Sequence, residues 1–170
     1  MRNRYFRTRA IRLSANGAKE SMAEKDQIKR VVILTVGLPR SGKSTWARST
    51  GYPIVCPDSI SVALHGRRLR FVAHAEAFVW AVAETMVAAL LGAGHEKVIV
   101  DACHATESRR KQWHDRFSAS PNTVVKCEVF DTPPAICKRR AAADGDQEII
   151  PLIDRMAGEL DVPVPWKRAQ

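Results

Sequence analysis

Apolar residues in this chain fall in short unbroken runs rather than in alternating or heptad patterns. Val31–Val36, reading VVILTV, is apolar and mostly β-branched around a single threonine, the pattern of a strand buried on both faces. KVIVDA (97–102) and TVVKCEVF (123–130) repeat it, and YPIVCP (52–57) predicts a shorter strand ending at Pro57. Helices are predicted between these runs. One covers Lys43–Ser49. A second is capped by Asp58 or Ser59 and runs to about His65, where Gly66 stops it. The third, Ala75–Leu91, is apolar around most of its circumference and ends at Gly92 and Gly94. A polar helix opens at Thr106-Glu107 and runs through Phe117, before the loop SASPN. Thr132 caps the next, with Pro133 and Pro134 allowed in its first turn, and it reaches about Ala143. DGDQE then interrupts the pattern ahead of a last short helix, Pro151–Leu160. GRRLRFVA (66–73) reads as a basic connector.

Strands alternating with helices call for right-handed crossovers and a parallel sheet covered on both faces. Ligands of such sheets bind at the carboxyl ends of the strands, and every chemical motif in this chain falls at such an end.

The first motif follows VVILTV. Gly37-Leu38-Pro39-Arg40-Ser41-Gly42-Lys43-Ser44-Thr45 satisfies the pattern G-x-x-x-x-G-K-S and lies between a strand and a helix, as that pattern requires. The glycines let backbone N–H groups turn inward around phosphate oxygens. The helix start adds partial positive charge. Lys43 supplies a point charge, and the Ser44 hydroxyl is a ligand for Mg2+. Nucleotide binding by residues 37–45 is the expectation. The expected fold is therefore an α/β P-loop NTPase, a three-layer sandwich with a parallel sheet of four or five strands and a short helical lid.

Three further positions complete a phosphoryl-transfer reading. Asp101 ends an apolar strand and would hold Mg2+ with Ser44, unless it only caps the strand. Asp58 follows the second strand and would take the proton of an attacking hydroxyl, although it is also a good N-cap. Arg139 and Arg140 precede a glycine-containing segment and would clamp the transferring group under a closing lid; the alternative is a solvated basic helix end. Arg67, Arg68 and Arg70 form a basic patch that either binds an acceptor's phosphate or is solvated. Phe78, Trp80 and Met86 lie at helical spacing and are expected in the core. His65, His74, His104 and His114 share no spacing and are expected mostly at the surface or behind the site.

Composition narrows the setting. At 170 residues, 45% hydrophobic and 26% charged, the chain is one domain's worth and buries roughly two thirds of its unfolded surface. Nine of the 27 basic residues and three of the 18 acidic ones fall in residues 1–30. That tail thus holds +6 of the net +9, leaving +3 for residues 31–170. The globular part does not demand a polyanionic partner. Cys56, Cys103, Cys127 and Cys137 are too widely spaced for a metal knuckle and read as reduced thiols of a cytoplasmic protein. The longest apolar stretch, Phe78–Leu91, is interrupted by Glu84 and Thr85 and falls short of the ~20 residues of a spanning helix, so no membrane is expected. The Arg-rich first 21 residues have transit-peptide composition; we read them as a disordered tail, or as sequence upstream of a start at Met22. The expected organisation is a basic tail (1–30), a P-loop domain (31–160) and an extended tail (161–170).

ILTVGLPRSGKSTWAR, PDSISVALHG, VIVDACHATESRRKQW and VFDTPPAICKRR together resemble the kinase domain of phage-type polynucleotide 5′-kinases, and more broadly the small P-loop ATP-binding kinases around it. The similarity covers about Val31–Leu160. It implies transfer of the ATP γ-phosphate to a hydroxyl, a DNA or RNA 5′-OH in the named enzymes. Lys43 and Ser44 would take the phosphate and metal roles, Asp58 the base and Arg140 a lid arginine. An acceptor that is a nucleoside, sugar or antibiotic, or no transfer at all, are the alternatives. Three positions depart from the family: Ser61 stands where an arginine is common, Asp144 where a second lid arginine is expected, and His104 where an Asn is common.

Overall fold

The computed structural model describes residues 30–66 and 73–162, with the side chains of residues 73 and 74 excepted. The basic patch Arg67, Arg68 and Arg70, the imidazole of His74 and most of both tails lie outside these residues.

Four strands form one parallel sheet: β1 (Arg30–Gly37), β2 (Ile54–Val55), β3 (Lys97–Val100) and β4 (Thr123–Phe130), in the order β2-β3-β1-β4. β1 is central, with Leu34 opposite Val100 on one side and Gly37 opposite Phe130 on the other. Ile54 and Val55 pair with Ile99 and Val100. The carboxyl ends of all four strands therefore share one edge. The chain leaves β1 toward β2 and later crosses β1 to reach β4, so the order turns at β1 and opens a crevice there.

Helices flank the sheet: α1 (Lys43–Ser49), α2 (Pro57–His65), α3 (Ala73–Gly92), α4 (Glu107–Ser118), α5 (Pro134–Ala143) and α6 (Ile150–Glu159), with a 3-10 turn at Gln147–Ile149. Val32, Leu34, Val55, Val98 and Val100 form one core with Ile60 of α2, the inner face of α3, and Trp113 and Phe117 of α4. A second, smaller core packs Leu38 of the glycine loop against Cys137, Ala141 and Ile153. That second core ties the α5–α6 pair directly to the loop.

Several local expectations change. α2 begins at Pro57 with Cys56 as N-cap and no side-chain cap bond, so neither Asp58 nor Ser59 caps it. Proline supplies the helical φ one position earlier than a polar cap would. The cap of α5 is Pro133 rather than Thr132, because the Thr132 hydroxyl is engaged elsewhere: it donates to the Ser41 carbonyl at 2.9 Å. The DGDQE segment is held rather than open. Gly145 N and Asp146 N donate to Ala142 O and Ala141 O at 3.2 and 2.9 Å.

α3 buries Val79, Ala83, Val87 and Leu91, a stripe at i, i+4, i+8 and i+12. Phe78 and Met86, expected in the core, are 57% and 40% exposed. The helix is apolar all round, so the pattern does not say which stripe faces the sheet. By length and composition Ala75–Gly92 is also apolar enough to cross a membrane; here its buried stripe lies on β2 and β3.

Candidate active site

Gly37 ends β1 with φ 143°, and a Cβ there would lie 2.5 Å from the Phe130 carbonyl oxygen. Only glycine fits a strand end pressed this closely to its neighbour. From there the loop turns through Arg40, a non-glycine residue at φ 63°, and Gly42 at φ 106°, into α1. Gly37 N donates to Cys103 O at 3.0 Å, which fastens the loop to the chain leaving β3.

Lys43 is buried, and its ammonium donates inward, to Gly37 O at 3.0 Å, Leu38 O at 2.5 Å and Ser41 Oγ at 3.3 Å. All three protons are thus used on the curve of the loop itself. Cys103 lies beside it: burial pushes its thiol above the ordinary range, Lys43 pulls it down, and the charges of Asp58 and Asp101 push it up. One thiol therefore feels the lysine and both predicted carboxylates.

Asp101 is 9% exposed at the end of β3. Its N–H donates to Val55 O at 2.9 Å. The next residue is locked by Thr35 on β1, whose hydroxyl donates to Ala102 O at 2.7 Å and accepts from Ala102 N at 3.1 Å. A threonine inside an apolar strand thus fixes the backbone that carries Asp101. The single polar position in VVILTV was the available signal for it. Ser44, Asp58 and Asp101 line one cleft of about 810 Å3, so the structure brings these three predicted residues together.

Arg140 is exposed and does not line this cleft; its guanidinium donates to Arg40 O at 3.0 Å and passes 3.9 Å from the Cβ position of Gly42. Arg139 is exposed beside it. Arg40 in turn forms ion pairs of 2.5 Å with both Asp144 and Asp146. Asp144, at the position where a second lid arginine was expected, is the partner of an arginine on the loop.

Behind the site His104 is buried at φ 40°, its Nδ1 2.8 Å from Thr35 O and its ring against both Trp80 and Trp113, which also touch each other. Burial lowers its pKa to about 4, so it is neutral at physiological pH and donates from Nδ1. Arg110, also buried, donates to His104 O and Ala105 O at 2.9 and 3.1 Å and pairs with Asp161. The turn after β3 and the start of the C-terminal segment are thereby joined. His65 and His114 are exposed as expected.

A strand, a phosphate-type loop and a helix in this register, on a parallel sheet with α5 and α6 packed over the loop, define a P-loop domain of kinase-like fold. Residues 32–151 match the family described as AAA domain, and the chain belongs to it. Among solved structures it is similar to a chain of the Pnkp1/Rnl/Hen1 RNA repair complex, with TM-score 0.59 and 18% identity over 83% of this chain and 50% of that one. Kti12 of Chaetomium thermophilum, in complex with ADP-AlF3, gives 0.58 and 18% over 81% and 84%. A gluconokinase from Sinorhizobium meliloti gives 0.55 and 16% over 83% and 79%. The chain spans about half the length of the RNA repair chain it matches. No curated protein matches the sequence.

Proposed function

We propose that this protein is an ATP-dependent phosphotransferase that moves the γ-phosphoryl group to a hydroxyl. The observation that carries the proposal is the shared cleft: Ser44 from the first turn of α1, Asp101 directly after β3 and Asp58 from α2 reach one space from three parts of the fold. Pure nucleotide holding needs the first two and gives no role to a carboxylate on the far wall. In-line transfer needs a group there to orient the acceptor hydroxyl and take its proton.

Lys43 exchanges its contacts with Gly37 O and Leu38 O for phosphate oxygens, and the loop amides surround the rest. Ser44 and Asp101 offer a hydroxyl and a carboxylate on one wall, hard oxygen donors that suit Mg2+. When bound, the ion neutralises charge on the β- and γ-phosphates. Arg140, already at the loop backbone, stabilises charge on the transferring group. A polynucleotide 5′-OH as acceptor rests on the resemblance and on Arg67, Arg68 and Arg70.

Asp58→Asn tests the mechanism. The variant is expected to bind ATP as the parent does and to lose transfer by about 100-fold or more. Transfer at the parental rate would overturn Asp58 as the base.

A further inference from the structure

The cleft that holds Asp58 continues past it, and its further wall is apolar. Val62 stands one turn after Asp58 on the same face of α2, and Leu64 lies six residues on, about 9 Å along the helix axis. Facing them from α3 are Val82 and Met86, one turn apart. Val62, Leu64 and Met86 are 42%, 47% and 40% exposed, although α2 and α3 pack on each other and could have closed over them. Among the described lining residues the cleft contains one cation, Arg48. A volume of about 810 Å3 suits a small molecule rather than a chain segment.

Resting on the phosphotransferase reading, we infer that the acceptor is a small hydroxyl compound with an uncharged apolar or aromatic body. The body lies between Val62, Leu64, Val82 and Met86, and the hydroxyl points to Asp58. A sugar or polyol presents hydroxyls on every face and would leave several of them unpaired against this wall. A polynucleotide end presents phosphates, for which the described part of the cleft offers Arg48; Arg67, Arg68 and Arg70 lie outside the described residues, and the oligonucleotide arm of the test below reads their contribution. In the reaction the acceptor oxygen forms a bond to the γ-phosphorus, and the bond from that phosphorus to the β,γ-bridging oxygen breaks. ADP leaves with the electron pair, and the hydroxyl proton passes to Asp58.

The test uses the full chain with γ-labelled ATP and Mg2+. Three acceptor sets are compared: neutral arylalkyl alcohols and diols, polyols and sugars, and a 5′-OH oligonucleotide. The arylalkyl set is expected to take label with the highest kcat/KM. Leu64→Asp and Met86→Asp, both at exposed positions, are expected to lower that value by about tenfold or more, as loss of an apolar subsite does, with KM for ATP unchanged. Preferential labelling of polyols or of the oligonucleotide overturns the inference and leaves phosphoryl transfer standing. Undiminished aryl labelling in both variants also overturns it. ATP binding without label on any acceptor overturns the phosphotransferase reading itself, and this inference with it.

Discussion

Arg40 of the phosphate loop and Asp144 at the end of α5 are joined by an ion pair of 2.5 Å across 104 residues of sequence, and Asp146 holds the other arm of the same guanidinium. The position where a second lid arginine was expected thus carries the acidic partner of an arginine on the loop. Arg140 donates to the carbonyl of the same Arg40, so one loop residue organises the whole end of α5.

Replacing Asp144 and Asp146 together with Asn should therefore loosen this end without unfolding the domain. Both pairs are partly exposed, and each is worth about 1 kcal/mol or less. Amide exchange over residues 140–149 is expected to quicken, and transfer to slow several-fold as Arg140 loses its anchor. A thermal midpoint that collapses, or exchange that does not change, would contradict this role.

Gly37 and Gly51 both have positive φ, at 143° and 72°, but only Gly37 is crowded. Gly37→Ala should cost about 2 to 4 kcal/mol, since the new methyl meets a backbone carbonyl that cannot move alone. Gly51→Ala, with open space around it, should cost about 1 kcal/mol from backbone conformation only. Urea midpoints of the two variants make the comparison, and nucleotide binding should fail only in the first.

His104 makes stability depend on pH. Its pKa is about 4 when folded against about 6.5 for an imidazole in water, so the unfolded chain binds the proton more readily. The contribution is complete above pH 6.5, falls as pH drops below that, and is exhausted below about 4. The gap corresponds to about 3 kcal/mol at most. Unfolding midpoints between pH 7 and 4 should slope less in His104→Asn than in the parent.

Thr35→Val keeps the shape of the strand and removes the hydroxyl that pairs with both polar groups of Ala102. An unsatisfied Ala102 N–H costs about 1 to 3 kcal/mol. Because Asp101 sits one residue before it, the Mg2+ concentration needed for half-maximal transfer should rise. Thr35→Ser, which keeps the hydroxyl, should restore it.

The sheet, the phosphate loop and the positions of Asp58 and Asp101 could be read from the chain because each is a local statement. A run such as VVILTV has no polar face to expose, GLPRSGKST states its own backbone, and a carboxylate directly after a buried run must emerge at a strand end. Most of the misread features depended on a distant partner. α3 is apolar all round, so the sheet, not the pattern, selected Val79, Ala83, Val87 and Leu91 and left Met86 to a cleft. Asp58 looked like a cap until Pro57 took the first helical position. Thr132 looked like one until the loop claimed its hydroxyl. His104 carries no sign of burial in its neighbours and is enclosed by tryptophans from α3 and α4.

By itself, then, the sequence determined the sheet's composition and the phosphate-holding loop, because hydrophobic runs and glycine geometry act over a few residues. Only the tertiary structure decided that Arg40 faces Asp144, that Thr35 fixes the backbone beside Asp101, and that an apolar wall extends beyond Asp58. Each of these joins side chains that are far apart along the chain, and only the packing of the sheet and its helices brings them within bonding distance.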